Sequence, residues 1–201
     1  MVTSDNSIVI MKGDVIGLEV FDINQHGQGV ARTDGMIVFV DDALPGEAIQ
    51  AEIRSVKKNY AIGEIASCIN PSVHRVKPRC PLAGRCGGCA VQHMAYRAQL
   101  EWKHDYVANM IDRAHLPNWE TNRLLPIIGM ENPWHYRAKV QIPFAGKSNG
   151  NLAGFYARRS HDVVDGDKCY IQHPIADVVR AMVRNYLQEH NLSAYNEKTH
   201  K

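Results

Sequence analysis

The stretch Asp14–Ile65, DVIGLEVFDINQHGQGVARTDGMIVFVDDALPGEAIQAEIRSVKKNYAIGEI, decides the fold. Its apolar residues alternate instead of recurring every three or four positions, so it reads as strands and carries no helical period. In Asp14–Asp22, Ile16, Leu18 and Val20 share one face, with Gly17 as the expected bulge. His26-Gly27-Gln28-Gly29 turns into Val30–Arg32, and Thr33-Asp34-Gly35 is a hairpin signal before a buried strand at Met36–Val40. Pro45-Gly46 turns the chain into Glu47–Val56, where Ile49, Ala51 and Ile53 face one way. Asn59–Ile65 returns as a fifth strand. Five short strands joined by Gly-rich turns predict a small closed barrel of the OB type, because closure removes exposed edges.

Working outward, Asn70–Arg79 reads as a linker holding Pro71, Pro78 and the basic residues His74, Arg75, Lys77 and Arg79. A Cys-rich loop, Cys80–Cys89, follows. The spacing of Val91, Met94, Ala98, Trp102, Tyr106 and Met110 predicts a helix from about Ala90 to Ala114 with a core-facing stripe. His93 reads as a helix-packing histidine. Pro117 and Pro126 bound a connection, after which strands are expected at Tyr136–Phe144, Leu152–Arg158, His161–Val164 and Cys169–His173. A last helix is expected over Ala176–Gln188, with Pro174 at its start and Asn191 at its end. The first five or so residues read as a polar tail. Two domains are expected, 1–70 and 71–201.

With 201 residues, 45% hydrophobic and 22% charged, the chain has the composition of a globular protein. No run of eighteen apolar residues exists, and the start lacks a basic segment followed by an apolar one, so membrane and secreted classes are excluded in favour of the cytoplasm. The net charge of +2 hides a split. Residues 1–70 carry 5 basic and 10 acidic side chains, whereas 71–201 carry 18 and 11. The basic second part suits an anionic partner such as nucleic acid.

Five cysteines occur, and three form Cys80-x5-Cys86-x2-Cys89. Gly87 and Gly88 let the backbone wrap so that thiolates face one centre. A fourth thiolate comes from Cys169 or Cys68; the spacing does not choose between them. Nothing indicates an oxidising compartment, which disfavours disulfides. A zinc ribbon pairs two C-x2-C knuckles and only one is present, so the spacing leans to an iron–sulfur cluster over zinc without selecting the cluster type.

At these residues the chain resembles a known family. RCPLAGRCGGCAVQHMAYRAQLEWKHDYV resembles the cluster-binding segment of bacterial class I 23S rRNA (uracil-5-)-methyltransferases. NPWHYRAKVQIPF (Asn132–Phe144) and GFYARRSHDVVDGDKCYIQHP (Gly154–Pro174) resemble that family's central domain, and KGDVIGLEVFDINQHGQGVAR with LPGEAIQAEI resembles its TRAM domain. The resemblance implies a mainly β fold with α: an OB-like TRAM barrel over 1–70, then an incomplete α+β iron–sulfur central domain over 71–201. It also implies a 4Fe-4S cluster on Cys80, Cys86, Cys89 and Cys169, with a structural role, and leaves Cys68 as a non-ligand. The implied reaction is SAM-dependent. A Cys thiolate adds to C6 of the uracil, C5 takes the methyl group, and a carboxylate removes the C5 proton.

That family's catalytic groups belong to a C-terminal Rossmann-like domain with a Gly-rich SAM loop, and no such fingerprint occurs here; GRCGGC belongs to the cysteine loop. The expectation is therefore an N-terminal portion with no catalytic residue, binding SAM only through the missing domain and inactive alone. AYNEKTHK reads as an internal piece of the central domain. The expected partner is RNA, 23S rRNA by the resemblance, with no membrane and no obligate protein partner. Candidate RNA contacts are Arg137 and Lys139, two apart on an expected strand, the linker cations Arg75, Lys77 and Arg79, and Lys57, Lys58 and Tyr60 on the barrel hairpin. The alternative is a stand-alone, non-catalytic RNA-binding module with an iron–sulfur or zinc centre. A small electron carrier fits less well, since it gives the barrel and the basic part no purpose.

Overall fold

The computed structural model describes residues 10–117, 123–147 and 150–195. The polar tail expected at the start, the middle of the Pro117–Pro126 connection and the end from Asn196 onward lie outside them.

Five strands close a barrel: β1 (Val15–Ile23), β2 (Gly29–Thr33), β3 (Met36–Asp41), β4 (Ala48–Val56) and β5 (Tyr60–Asn70), in the order β1-β2-β3-β5-β4. All pairs are antiparallel except β3 with β5, which run parallel from Ile37–Tyr60 to Asp41–Glu64. The inward face of each strand supplies the core, with Leu18, Val20, Ala31, Val38, Val40, Ile49, Ala51, Ile53 and Ala61 all buried. Ile16 packs against that core from a partly buried position. The β2–β3 turn places Asp34 and Gly35 at φ of 43° and 78°, the paired left-handed conformation that matches the twist of a two-residue hairpin. Gly29 is required by close approach: a Cβ there would lie 2.7 Å from the Ala43 Cβ and 2.8 Å from the Val20 Cγ1.

The bulge expected at Gly17 lies elsewhere. Gly17 pairs in regular register with Gln50, and the irregularity falls between Val20 and Asp22. That is where β1 passes from β4, its partner over Val15–Glu19, to β2, its partner from Val20 onward, and the handover needs the extra residue.

After β5 come α1 (Tyr96–Arg113), a three-stranded sheet of β6 (Phe144–Lys147), β7 (Gly150–Tyr156) and β8 (Val163–Asp165), and α2 (Ile175–Glu189). Two compact units result. One joins the barrel, up to Lys77, to the segment from His93 to Leu124; the other joins Pro78–Gln92 to the described residues from Leu125 onward. The helix after the cysteine loop thus groups with the barrel. The helix expected from about Ala90 begins only at Tyr96, so Met94, though buried, lies ahead of it. Of the expected stripe on α1, Ala98 is buried, while Met110 at the far end is 53% exposed.

The second unit corrects the expected fold class. In place of an α+β iron–sulfur domain it is a small α/β part, one sheet and one helix. Among the described residues no group of three or more His, Cys, Asp or Glu side chains is placed to hold a metal ion. Of the strands expected at Tyr136–Phe144 and Cys169–His173, Phe144 opens β6 and the rest shrink to one parallel bridge, Arg137 with Gln172. Alternation supplies a two-faced segment but not a partner, and a ladder forms only where a neighbouring backbone lies alongside. The end of α2 follows its sequence signal. Asn191 takes φ of 52°, its N–H donates to the Gln188 carbonyl, and the Leu192 N–H donates to the Leu187 carbonyl at 2.8 Å. This is the six-to-one closure that a left-handed Asn permits.

Candidate nucleic-acid surface and cysteine cavity

In the barrel unit, Lys57 and Lys58 lie exposed in the β4–β5 turn, and Tyr60 opens β5 at 37% exposure. Phe39 on β3 meets Tyr60 edge to face, with ring centroids 5.6 Å apart. Two cations therefore flank an aromatic pair at one end of the barrel, a combination suited to phosphate and base.

Arg75 is differently engaged. Its guanidinium donates from Nε and Nη2 to the two carboxylate oxygens of Glu47 at 2.5 and 2.7 Å, and from Nη2 to the Asp42 carbonyl at 2.6 Å. Glu47 is 1% exposed and also accepts from the Leu44 and Ser72 N–H groups. Burial pushes this carboxyl up, but the bonds from Arg75, Leu44 and Ser72 outweigh it and hold Glu47 below its ordinary value. His93, also buried, places Nδ1 3.4 Å from Asp42. It packs beside the helix, within the barrel unit and not in the unit that carries the cysteine loop. Lys77 is exposed.

In the second unit, Cys80, Cys86, Cys89 and Cys169 all line one cavity of about 30 Å³. Backbone and side-chain bonds pin each segment. Gly87 donates to the Tyr156 carbonyl at 2.9 Å, and a Cβ at that position would stand 3.1 Å from the same oxygen. Gln92 spans two cysteines, donating to the Cys89 Sγ at 3.2 Å and accepting from the Cys80 N–H at 3.3 Å. The Cys169 N–H donates to Asp177 at 3.2 Å. Burial raises the Cys86 and Cys89 thiols above their ordinary value, and neighbouring cysteines add to the shift. The four thiols share a cavity with the soft donors a thiophilic metal needs, yet the cavity holds little more than one water and the sulfurs form no ligating group. Cys68 sits on β5 of the barrel, opposite Ile49.

Three of the expected RNA contacts, Arg79, Arg137 and Lys139, belong to this second unit. Arg137 is half-buried, donates to the Gly88 carbonyl at 3.3 Å and lines the cysteine cavity. Lys139, two residues on, is exposed on irregular backbone, so no strand face unites the pair. Arg79 stacks between Trp134 and Tyr170, its guanidinium carbon 5.1 and 4.9 Å from the two ring centroids. Sequence reasoning missed these commitments, because neither the buried Glu47 nor the Trp134–Tyr170 pair is adjacent in the chain. Glu47 between Pro45-Gly46 and an apolar strand was the available signal: an acid at the start of a buried element needs a cation.

Residues 10–66 match the TRAM domain family. The TRAM match therefore covers β1 to β4 and most of β5. Beyond it, the chain is similar to longer proteins named RNA methyltransferase. One from Halalkalibacterium halodurans is 40% identical over 192 residues, 96% of this chain and 42% of its own length. One from Staphylococcus epidermidis is 43% identical over 192 residues, 94% and 41% respectively. The chain thus spans about two-fifths of the curated relatives it matches. Among solved structures, the Pyrococcus abyssi tRNA (uracil-54, C5)-methyltransferase bound to S-adenosyl-L-homocysteine superposes with a TM-score of 0.65 at 20% identity. The match covers 92% of this chain and 40% of that one, and it shows a shared fold. The TRAM match is thus confined to residues 10–66, while the similarity to proteins named RNA methyltransferase runs along nearly the whole chain. No helix of the described residues is long and apolar enough to cross a membrane.

Proposed function

We propose that the chain is the RNA-recognising portion of a SAM-dependent RNA uracil-5 methyltransferase of the cytoplasm. The observation that carries the reading is a closed barrel matching the TRAM domain, in a chain whose relatives are named RNA methyltransferases along nearly all its length. Uracil C5 as the target is supported by the sequence resemblance and by the shared fold with a tRNA uracil-54 enzyme; 23S rRNA as substrate rests on the resemblance alone. Domain limits at 1–70 and 71–201 belong to the same reading.

Within it, Lys57 and Lys58 contact phosphate, Tyr60 stacks on a base, and Lys77 and Lys139, both exposed, meet the backbone. Arg75, Arg79 and Arg137 hold their segments in place while presenting positive charge nearby. SAM is bound by the full-length enzyme, and this chain alone transfers no methyl group.

Cys80, Cys86, Cys89 and Cys169 are the proposed ligands of a 4Fe-4S cluster, a reading that rests on the sequence resemblance and their soft donor chemistry and requires the cavity of about 30 Å³ that they line to widen. When bound, the cluster supplies a cross-link between the cysteine loop and the segment before α2. Gln92 orients Cys80 and Cys89, and Asp177 orients Cys169. Anaerobic purification with iron, sulfide and zinc assays tests it. Iron and sulfide at about four per chain are expected, and stoichiometric zinc in a colourless protein overturns the assignment. RNA recognition is tested separately, by gel shift with an rRNA transcript and by assay of methyl transfer from labelled SAM. Saturable binding without transfer is expected; turnover by the 201-residue chain contradicts the non-catalytic role.

A further inference from the structure

Between the barrel and α1, both in the first unit, lies an open cleft of about 870 Å³. It is much larger than one nucleobase, and its walls differ in chemistry. The barrel side offers Phe21, 59% exposed, and the Phe39–Tyr60 pair. An exposed phenylalanine beside an edge-to-face pair gives flat apolar surface that nothing in the described residues covers. On the helix side, Glu101 and Asp105 lie one turn apart and both line the cleft. Tyr106, next along α1, ties the two sides together by donating from its hydroxyl to Gln25 at 2.7 Å.

This lining selects its occupant. Glu101 pairs with Arg97 at 3.0 Å, Asp105 lies 3.5 Å from His104 Nδ1, and His26, His74 and Arg113 also line the cleft. The stretch around Asp105 and Asp22 still disfavours a phosphate, so the backbone of a bound strand is assigned to the outside with Lys57 and Lys58 beside Tyr60. A neutral base stacks on the aromatic wall at no such cost. Carboxylates accept hydrogen bonds and donate none, so they favour a base edge carrying an exocyclic amino group. Uracil presents two carbonyls and no amino group.

We propose that this cleft is a subsite for an unpaired, amino-bearing base of single-stranded RNA, cytosine or adenine, belonging to a nucleotide other than the uridine that is modified. The inference rests on the RNA-binding reading above and adds a specificity element to it. Stacking on Phe21 and Tyr60 supplies affinity; Glu101 and Asp105 supply the choice of base.

The test uses the whole chain and fluorescein-labelled single-stranded oligoribonucleotides of equal length, oligo-C, oligo-A and oligo-U, followed by anisotropy at fixed salt. Oligo-C and oligo-A bind about tenfold tighter than oligo-U, the discrimination of one good amino–carboxylate pair. The double variant Glu101→Gln with Asp105→Asn, changed at surface positions, removes that preference while circular dichroism stays native. Phe21→Ala weakens all three by about tenfold. Equal binding of all three oligomers, or a preference that survives the double variant, overturns the subsite and leaves general RNA binding standing. Failure of every oligomer to bind removes both.

Discussion

Glu47 enters the barrel as a charge with no access to water, and its two oxygens are filled by Arg75 and two backbone donors. Removing one partner strands the other, which costs about 3 kcal/mol for a buried pair. Glu47→Gln is expected to lower the unfolding free energy by about that amount at pH 7, measured by urea denaturation. Because the folded state holds this carboxyl below its ordinary value, its stabilisation is present above the unfolded-state value and is lost as pH falls through the lower folded one. The native chain therefore weakens across the acid carboxylate range, and the variant loses less there. Gly29→Ala is a second expectation at this scale. Its methyl has Ala43 and Val20 within 2.8 Å, so a loss of about 2 kcal/mol in the same titration is expected. Residue types were legible in the sequence at both positions. Their partners were not: Arg75 lies 28 positions from Glu47, and Ala43 and Gly29 meet only once the barrel closes.

The elements of the first unit follow from local rules. Alternation places Leu18, Val20, Ile49 and Ile53 inward, and Asp34-Gly35 sets the hairpin. The second unit was less legible. Tyr136–Phe144 alternates as cleanly as β1, yet only its last residue, Phe144, joins a ladder, and Arg137 makes a single bridge to Gln172, far along the chain. The α2 helix was visible from its spacing, but its attachment was not. Arg184 reaches Asp165, Asp167 and the Ala153 carbonyl, binding the helix to β7 and β8. Arg184→Ala is expected to lower thermal stability by about 1–2 kcal/mol, seen as a reduced melting temperature by calorimetry. The cysteine set belongs to this scale too. Cys169→Ser should abolish iron retention and Cys68→Ser preserve it, read from the ratio of iron to protein; the reverse result exchanges the two assignments.

For the whole molecule, the opposite charges of the two stretches, 5 basic against 10 acidic over residues 1–70 and 18 against 11 over 71–201, were visible from composition, and they do not coincide with the compact units. The helix after the cysteine loop returns to the barrel unit, a grouping no linear reading of the chain foresees. RNA recognition is proposed to run through the TRAM barrel bearing Lys57, Lys58 and Tyr60. Its most direct test is the dissociation constant for a single-stranded rRNA transcript measured against salt concentration. Saturable binding that weakens steadily with salt is expected, and for Lys57→Ala with Lys58→Ala a log–log slope shallower by about 1.4. Absence of saturable binding at low salt, or a slope unchanged in the double variant, contradicts it.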